Sequence, residues 1–359
     1  MGTEVAPRGD DSHGCCRVMK KLESQKAIGR NGDVEVFRCL LMFLIVAYHC
    51  FIYGPCSQSK SLWTMCFTVL ICWHTDGFLA ISGWYGIRFK WSRFWGMIGQ
   101  FAFYGVLSCI YCWMMDLSFR GAIYSFTGGW FGATYLVLMI LSPLINRTVE
   151  VGWERCRGLV FAGVGLLAVA FFVSWITGRF GAGMVPVGRF GFHSVLLMVY
   201  LYCVARLLRK LFEGKRPRLG ALFVGIGIFV LALPLYHLVD LFHQHATGVG
   251  IKGIGAYFAA FDAPQTVLMT FSLLLLFVYY VRLPKWCGDF AIRLSPCLFG
   301  VYLCHTTTTF GGRFYDLEKW LVDSLHLHGF FAVLLTAVFI FAVGIGVELI
   351  RKVAVKNEG

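Results

Sequence analysis

Ten separate stretches of mostly apolar residues recur along the chain, and each approaches the length of about 20 residues that a helix needs to cross a bilayer. No other feature limits the possible folds as strongly. The predicted spans are residues 36–55, 62–86, 94–114, 130–146, 158–177, 192–212, 220–242, 263–281, 294–312 and 329–350.

The composition supports a membrane protein. Hydrophobic residues make up 58% of the 359 residues and charged residues only 14%, whereas a soluble globular protein carries about 25% charged residues. A soluble fold of this size could not cover its surface with so few charges. Disorder, a coiled coil and collagen are excluded for the chain as a whole. We therefore predict an all-α polytopic membrane protein with ten transmembrane helices.

Basic residues are distributed unevenly between the predicted loops. With residues 1–33 placed in the cytoplasm, 24 of the 32 Lys and Arg fall on the cytoplasmic side and seven on the outer side, and Arg38 lies inside the first span. This asymmetry follows the positive-inside rule. It explains the formal charge of +13 without a nucleic-acid partner and predicts that both termini are cytoplasmic.

The chain divides into three predicted parts. Residues 1–33 are polar and lack the apolar core of a signal peptide, so we expect a cytoplasmic extension without stable structure, with Met19 as an alternative start. Residues 34–351 form the membrane domain, and residues 352–359 form a cytoplasmic tail. Because no soluble domain is predicted, the chemistry must lie in the helix bundle or its short loops.

Two ionisable residues share one face of the first predicted helix, where such groups are costly and therefore functional candidates. His49 lies eleven positions after Arg38, which corresponds to three turns plus about 20° and an axial distance of about 16 Å. Arg38 therefore lies near the cytoplasmic interface and His49 in the outer half. Taken singly, each has a structural explanation: a snorkelling arginine and a histidine hydrogen-bonded to a neighbouring helix.

The second span carries a carboxylate near mid-membrane. His74 and Asp76 lie at that depth and Ser82 lies nearer the cytoplasm. An uncompensated carboxylate is costly there, so we expect Asp76 to pair with the arginine of the first span or with a histidine. Gly77 and Gly83 would let a neighbouring helix or an acyl-carrying arm approach closely. The structural alternative is a seam of small residues with one ion pair.

The ninth span brings a second histidine to the depth of His49. Counted by helical rise from the cytoplasmic end, His305 reaches a similar level. Two histidines and the carboxylate of Asp76 at similar depth in an apolar bundle are typical of an acid/base site. On spacing alone, catalysis and proton-coupled transport fit this arrangement equally well.

The remaining polar clusters carry less information. His243 with His245, and His326 with His328, lie in predicted outer loops. Two histidines without further ligands are poor evidence for a metal, so we predict no metal site. The basic run Arg206–Arg218 is most simply interpreted as a positive-inside loop that faces anionic lipid.

Four short motifs resemble those of the acyltransferase-3 family of integral-membrane O-acyltransferases, and the resemblance covers most of residues 30–350. Each motif is weak alone, but their order on ten spans is specific. They comprise an arginine and a histidine separated by ten residues, an acidic residue before Phe-x-x-x-Ser-Gly, a Trp-Phe-x-x-x-Tyr pattern followed by Ser-Pro-x-x-Asn, and Tyr-Leu-x-His. In this sequence they are Arg38…His49, Asp76-Gly-Phe78-Leu-Ala-Ile-Ser82-Gly83, Trp130-Phe131-Gly-Ala-Thr-Tyr135…Ser142-Pro143-Leu-Ile-Asn146 and Tyr302-Leu303-Cys304-His305.

One family motif is only approximated. Many members carry Arg-x-x-Arg in the loop after the Ser-Gly helix, whereas this loop contains Arg88 followed by Lys90-Trp-Ser-Arg93. Lys90 and Arg93 are therefore the nearest equivalent, and individual donor-binding roles follow less directly here.

The resemblance implies transfer of an acyl group, usually acetyl, from cytoplasmic acetyl-CoA or another acyl-CoA to a hydroxyl of a glycan or glycolipid at the outer face. The donor is a substrate, and no tightly bound cofactor is expected. His49 would act as a general base or a transient acyl carrier. Asp76 or His305 would orient its ring or stabilise the imidazolium.

Binding of the donor is expected at the cytoplasmic mouth of the bundle. Arg38, Arg88, Lys90 and Arg93 would hold its phosphate groups, and Ser82 would shape its channel. The implied location is a bacterial inner membrane, with the lipid bilayer as surroundings. The glycan acceptor stays open.

Two other functions compete with acyl transfer. A transporter or flippase of glycans or small solutes also has buried charges, but it would usually show repeat-related halves with matching broken helices, which the sequence lacks. A polysaccharide-assembly partner or polymerase normally has a large outer loop, whereas the longest here, 243–262 and 312–328, are short. Tyr53 and Trp63 could stack on sugar rings, although interfacial aromatic belts look identical.

Overall fold

Helices dominate the part of the chain that the computed structural model describes, which comprises residues 31–58, 66–67, 71–180, 192–247, 261–306 and 313–356. No strand occurs among these residues. Two 3-10 turns accompany the helices, at Pro55–Gln58 and Ser295–Cys297. The helices are α1 (Gly32–Tyr53), α2 (His74–Tyr85), α3 (Trp91–Met114), α4 (Arg120–Ser125), α5 (Gly129–Arg155), α6 (Arg157–Phe180), α7 (Phe192–Leu211), α8 (Leu219–Thr247), α9 (Pro264–Tyr279), α10 (Lys285–Leu294), α11 (Leu298–Thr306), α12 (Phe314–Asp323) and α13 (Gly329–Lys356).

A helix overlaps each of the ten predicted spans. Within the described residues, five helical stretches are long and apolar enough to cross a membrane. The all-helical fold is therefore confirmed, whereas the count of ten spans, the cytoplasmic position of both termini and the domain limits remain predictions. The five stretches are Gly32–Tyr53, Trp91–Met114, Gly129–Arg155, Lys285–Thr306 and Gly329–Ala354.

The helices α1 and α2 lie in the interior of the bundle. Helix α1 packs against α2, α9, α10, α11 and α13, and α2 also packs against α7 and α9. Phe37, Leu41 and Ala47 of α1 are fully buried, whereas the outer helices expose large apolar side chains such as Leu159 and Leu231. Extensive exposed apolar surface would aggregate in water. An apolar exterior around a partly polar interior is therefore the arrangement expected of an integral membrane protein.

The start of α1 is fixed by a cap and a close helix contact. The backbone N–H of Asp33 donates to the side chain of Asn31 at 3.0 Å, which satisfies one of the unpaired amides of the first turn. A Cβ atom on Gly32 would lie only 2.7 Å from Cα of Gly288 in α10. Because the atom that it would meet is backbone, a side chain at position 32 would push the two helices apart, and glycine lets α1 and α10 pack this closely.

The ninth span differs from the prediction of one helix over 294–312. Instead, α10 begins at Lys285, the 3-10 turn at Ser295–Cys297 interrupts it, and α11 follows as a short separate helix. Pro296 lacks the N–H that would continue the α-helical hydrogen bonds, which explains the interruption. Helices α4 and α12 lie in segments predicted as loops, because six to ten residues are too few for a membrane-span signal.

Candidate active site

Two histidines from distant parts of the chain meet inside the bundle. Nδ1 of His49 on α1 lies 2.7 Å from Nε2 of His305 on α11, and Nδ1 of His305 lies 2.8 Å from the backbone oxygen of Val301. A carbonyl only accepts, so Nδ1 of His305 carries the hydrogen and its Nε2 accepts. In the neutral pair, Nδ1 of His49 is therefore the donor, and Nε2 of His49 keeps the basic lone pair.

Close helix packing holds His305 in this position. A Cβ atom on Gly300 would lie 2.6 Å from Oε2 of Glu348, and one on Gly344 would lie 2.9 Å from Cα of Val301. Both glycines let α11 and α13 approach more closely than larger residues would allow. The sequence predicts the two histidines at similar depth, and the structure brings them into hydrogen-bond contact.

A pair of tyrosines lies next to the histidine pair, towards the predicted outer surface. The rings of His49 and Tyr53 are 5.7 Å apart, and the ring of Tyr315 on α12 lies 5.6 Å from that of Tyr53. The hydroxyl of Tyr315 also donates to the backbone oxygen of His305 at 3.4 Å. Because Tyr53 is 65% exposed, this side of the site has an accessible aromatic surface. Trp63, the other predicted aromatic, lies outside the described residues.

A buried carboxyl group supports this tyrosine pair. Glu318 on α12 is 0% exposed, and the backbone N–H of Cys56 donates to its Oε1 at 3.4 Å. Burial raises the pKa of Glu318 to about 7, although hydrogen bonds from Cys56 act in the opposite direction. A side chain at Gly54 would collide with this carboxyl group. No sequence pattern singles out Glu318, because it lies in a segment predicted as a loop.

A third histidine lies beside the pair. His74 at the start of α2 is buried, and its Nδ1 lies 2.8 Å from the hydroxyl of Thr75. It is close enough to interact electrostatically with both His49 and His305. Within the described part of the chain, its Nε2 has no hydrogen-bond partner. Sequence reasoning noted the depth of His74 but assigned it no role, because depth alone does not show which way a side chain points.

The predicted pairing of Asp76 with Arg38 or a histidine is not found among the described residues. Asp76 is buried on α2, yet no hydrogen bond joins it to Arg38 or a histidine in the described segments, and its Oδ2 has no partner there. Arg38 instead pairs with Glu35 at 2.9 Å, one turn earlier on α1. The two are neighbours on one helix, whereas Asp76 lies deeper on another. An unsatisfied buried polar atom costs about 1–3 kcal/mol, so this carboxyl group is held at a cost.

Ser82 lies on α2 but away from the histidines. It lies eight positions after His74, or about 12 Å along the helix axis. Its hydroxyl donates to the backbone oxygen of Phe78 at 2.9 Å and lies 3.4 Å from the hydroxyl of Tyr135 on α5. No histidine of the described chain contacts Ser82, so the geometry offers it no base for a nucleophilic role.

The two glycines of α2 admit helices. A Cβ atom on Gly77 would lie 2.5 Å from the side chain of Leu41 on α1, and one on Gly83 would lie 2.7 Å from Cβ of Ala205 on α7. The sequence offered two reasons for small residues here, an adjacent helix or an acyl-carrying arm. In the structure, both glycines lie against neighbouring helices.

Three basic side chains predicted to bind the donor lie near one another in sequence at the end of α2. Arg88 and Lys90 lie in the loop after α2, and Arg93 lies in the first turn of α3. All three are exposed, and no carboxylate of the described residues pairs with them. They are therefore accessible to an anionic ligand from solution.

Two side chains hold this basic loop in place. The hydroxyl of Tyr202 on α7 accepts from the N–H of Ile87 at 2.7 Å and donates to Oδ1 of Asn146 at 2.9 Å. The amide of Asn146 in turn donates to the backbone oxygen of Ile87 at 3.0 Å. The peptide groups on both sides of Ile87 are therefore bonded. Asn146 ends the Ser-Pro-x-x-Asn motif, whereas Tyr202 was not singled out in the sequence.

The prediction that the whole run Arg206–Arg218 is a lipid-facing loop is wrong for its first residues. Arg206 and Arg209 belong to α7, and Arg206 is 7% exposed. A guanidinium Nη2–Hη of Arg206 donates to Glu150 of α5 at 2.8 Å, and one of Arg209 donates to the backbone oxygen of Trp84 at 2.7 Å. Charge counting cannot reveal this burial, because α7 extends beyond its apolar core.

The structure gives no three-residue cluster for a metal ion. Among the described His, Cys, Asp and Glu side chains, no group of three or more could hold one. His326 and His328 are both exposed, and the side chain of His243 lies outside the described residues.

Comparison with known proteins adds one family. The model of the acyltransferase-3 family, described as an acyltransferase domain, matches residues 31–347, which is nearly the whole chain. Searches of curated proteins and of solved structures gave no significant match. The match includes both histidines of the pair and all the basic residues at the end of α2.

Proposed function

Because the chain belongs to the acyltransferase-3 family, we propose that this integral membrane acyltransferase moves an acetyl group from cytoplasmic acetyl-CoA to a hydroxyl of a cell-surface or exported glycan. Acyl transfer as such follows from the family. The observation that carries the proposed mechanism is the hydrogen-bond chain from His49 through His305 to the carbonyl of Val301.

In the proposed reaction, Nε2 of His49 is the general base. It removes the proton of the acceptor hydroxyl as the oxygen attacks the thioester carbonyl. The C–S bond then breaks, and the proton passes from His49 to the departing thiolate, which gives an ester and free CoA. General base catalysis contributes about 10²–10⁴-fold. The hydrogen bond from Nδ1 of His49 to His305 keeps Nε2 basic and stabilises the imidazolium that forms.

The same geometry permits a covalent route. Nε2 of His49 would attack the thioester carbonyl itself, release CoA and carry the acyl group until the acceptor hydroxyl displaces it. Both routes need the lone pair on Nε2, so His49 is essential in either. They differ in whether the protein becomes acylated before the acceptor binds.

Asp76 and His74 extend the proposed site beyond the histidine pair. Each has a buried polar atom without a partner in the described residues, Oδ2 of Asp76 and Nε2 of His74. Such atoms are costly when empty, so their retention supports a role in contacting a polar substrate group. We assign Asp76 to the substrate rather than to orientation of His49, because the hydrogen bond to His49 comes from His305.

The two substrates would enter from opposite ends. The exposed side chains of Arg88, Lys90 and Arg93, with Arg38 deeper, suit the phosphate groups of CoA. The exposed ring of Tyr53 with Tyr315 suits a sugar ring of a glycan or glycolipid acceptor. Placement of the chain in a bacterial inner membrane, with the donor inside and the acceptor outside, belongs to this proposal.

The direct test supplies radiolabelled acetyl-CoA to the purified protein in nanodiscs, with His49→Ala beside the wild type. With water in place of the acceptor hydroxyl, we expect thioester hydrolysis and CoA release by the wild type and a loss of at least about 100-fold in the variant. His245→Ala, which removes an exposed histidine on α8, is the matched control and should retain full activity. Label retained on the wild type alone would select the covalent route.

Two outcomes would contradict the proposal. Full CoA release by a correctly inserted His49→Ala protein would remove His49 from the chemistry. If neither acetyl-CoA nor longer acyl-CoAs were bound or turned over, the proposed donor would be refuted and the transporter interpretation would be favoured.

A further inference from the structure

We propose that Arg206 and Arg209 of α7, together with Arg38, form a phosphate-binding site for the acyl-CoA donor at the cytoplasmic end of α2. This inference rests on the proposed function and adds two residues that the sequence assigned to a lipid-facing loop. We call the three residues the arginine cluster. The ligand group that it recognises is a phosphate ester.

Arg206 and Arg209 contact the end of α2 directly, and Arg38 lies within electrostatic range of it. A guanidinium N–H of Arg209 donates to the backbone oxygen of Trp84 at 2.7 Å. Nη1 of Arg206 lies 2.9 Å from the position that a Cβ atom on Gly86 would occupy. Tyr85, which lies between these two positions, interacts electrostatically with both Arg38 and Arg209. The cluster therefore draws on two helices, α1 and α7, and converges on the end of a third.

Arg206 has binding capacity that the protein does not use. Its side chain is more than nine-tenths buried, and Nε has no hydrogen-bond partner among the residues described. Within the described segments, only Nη2 is engaged, by Oε1 of Glu150 at 2.8 Å. A guanidinium group offers five donors in a planar fork that matches two phosphate oxygens. A phosphate oxygen at Nε would satisfy the buried donor.

Two separate constraints favour glycine at position 86. Its φ angle is +78°, a conformation that side chains rarely adopt. A Cβ atom there would also press against Arg206 at 2.9 Å. Glycine at this position thus lets the guanidinium group lie directly against the loop that carries Arg88 and Lys90.

The charges of the cluster favour an anion. Glu35 and Glu150 each neutralise one arginine, which leaves one positive charge in excess among the three. The carbonyl groups at the end of α2 carry partial negative charge that would repel a phosphate, and Arg209 offsets it at Trp84. Glu213 also interacts electrostatically with Arg209, but its charge is offset by Lys210 at 3.8 Å.

A purely structural role is the main alternative. Arg206 would then serve only to pair with Glu150, and Arg209 only to cap α2. This role leaves Nε of Arg206 unexplained. It also makes a different prediction, because removal of Glu150 should then cause the same loss as removal of Arg206.

The test measures donor binding and donor KM in nanodiscs of neutral phosphatidylcholine. The variants are Arg206→Gln and Arg209→Gln, and Arg216→Gln, an exposed arginine of the following loop, is the matched control. CoA is the binding probe. Acetyl-CoA is compared with acetyl-pantetheine, which carries the same thioester without the phosphates. We expect each of the first two variants to raise Kd for CoA and KM for acetyl-CoA about tenfold or more, with KM for acetyl-pantetheine unchanged.

Glu150→Gln separates the binding role from the structural one. We expect it to leave KM for acetyl-CoA unchanged or lower, because the arginine remains and loses a competing acceptor. Equal rises in KM for both donors in Arg206→Gln, or the same rise in Glu150→Gln, would overturn the proposal in favour of a structural role.

Two further outcomes also decide. If the arginine variants alter association with phosphatidylglycerol but leave Kd for CoA unchanged, the cluster binds a lipid phosphate and the donor site is wrong. If the wild type binds no CoA at all, the proposed function itself fails. If the wild type binds CoA and shows His49-dependent turnover, but the arginine variants have unchanged Kd and KM, only the role of the arginine cluster is refuted.

Discussion

His305 determines which nitrogen of His49 is basic. Its own Nδ1 is committed to the backbone oxygen of Val301 at 2.8 Å, so its Nε2 accepts from Nδ1 of His49 at 2.7 Å. The assignment depends on a backbone carbonyl, which cannot donate. The two histidines therefore have different tasks, although they lie side by side. In the proposed mechanism, His49 performs the chemistry and His305 positions it.

Substitution of His305 tests this division. We expect His305→Leu to lower kcat about 100-fold without changing KM for acetyl-CoA, because the residues proposed to bind the donor phosphates lie far from the pair. His305→Gln offers an amide oxygen that can accept from Nδ1 of His49, so it should retain more activity than the leucine variant. Steady-state kinetics with acetyl-CoA would separate the two parameters. Equal kcat in the leucine variant and the wild type would show that His49 needs no positioning partner.

Asp76→Asn should separate stability from activity. The substitution keeps the size of the side chain but removes a buried acid whose Oδ2 has no partner within the described segments. Since an unpaired buried acid is unfavourable, we expect an unchanged or higher unfolding temperature in detergent together with a lower rate of acyl transfer. A variant that loses both stability and activity would contradict the substrate-contact role and make Asp76 structural.

Stability should depend on pH through Glu318. The pKa of this group is about 7 in the folded protein against an ordinary value of 4.5. Between these two values the folded protein holds a proton that the unfolded chain has released, so the free energy of unfolding falls as pH rises and levels off above about pH 7. Glu318→Gln should remove this decrease.

The comparison requires a control from the same helix. Asp323→Asn changes an exposed carboxylate of α12 and should leave the pH dependence as in the wild type. Unfolding temperatures measured from pH 4.5 to 8 would show it. An unaltered slope in Glu318→Gln would assign the dependence to another group. The neighbours Cys50, Cys56 and Tyr315 have ordinary pKa values above this range.

Glu348 should be a major source of stability. Arg351 donates to it at 2.7 and 2.9 Å, Gln100 donates to it at 2.9 Å and Tyr104 donates to it at 3.3 Å. Glu348→Ala would leave these donors without their shared acceptor, and we expect a loss of about 3 kcal/mol in the free energy of unfolding. Asp316→Ala breaks the exposed pair with Arg313 and should cost less than about 1 kcal/mol. Similar losses would refute the central role of Glu348.

A pair of glycine substitutions tests the seam between α2 and α7. In Gly83→Ala the new Cβ would lie 2.7 Å from both Cβ of Ala205 and the backbone oxygen of Tyr202, so we expect a loss of about 1–3 kcal/mol. In Gly96→Ala nothing lies within 4 Å of the new atom, and stability should rise by up to about 1 kcal/mol because alanine favours helix. Unfolding in denaturant would measure both. Equal effects would show that the seam tolerates repacking.

The sequence predicts depth well and lateral contacts poorly. Hydropathy and helical rise place His49 and His305 at one level, and the structure joins them. The same reasoning pairs Asp76 with Arg38 or a histidine, because it compares charges and depths without knowing which side chains face each other. The ion-pair partner of Arg38 is Glu35, which lies one turn away on the same helix. This pair could have been predicted from the spacing of the two residues.

Other parts of the site depend on how helices turn about their own axes. His74, Tyr202 and Arg206 all lie on interior faces, and no short sequence pattern shows those faces in helices that are apolar all round. Arg206 was grouped with Arg216 and Arg218 by charge, although only the latter two are exposed. Whether a charged residue at the end of a span is buried depends on which helices pack against it in the fold.

The double hold on Ile87 has a consequence for substrate selection. Tyr202 and Asn146 already order the loop after α2. The loop therefore loses its conformational entropy during folding, and a CoA thioester would bind to a preformed site. Such a site would bind the nucleotide portion that every CoA thioester shares, so it can determine the affinity for the donor without distinguishing acetyl from longer acyl chains. Discrimination between acyl groups must then arise at the other end of the donor, from the space around His49, His74 and Asp76. Engineering of acyl-chain length should therefore begin there.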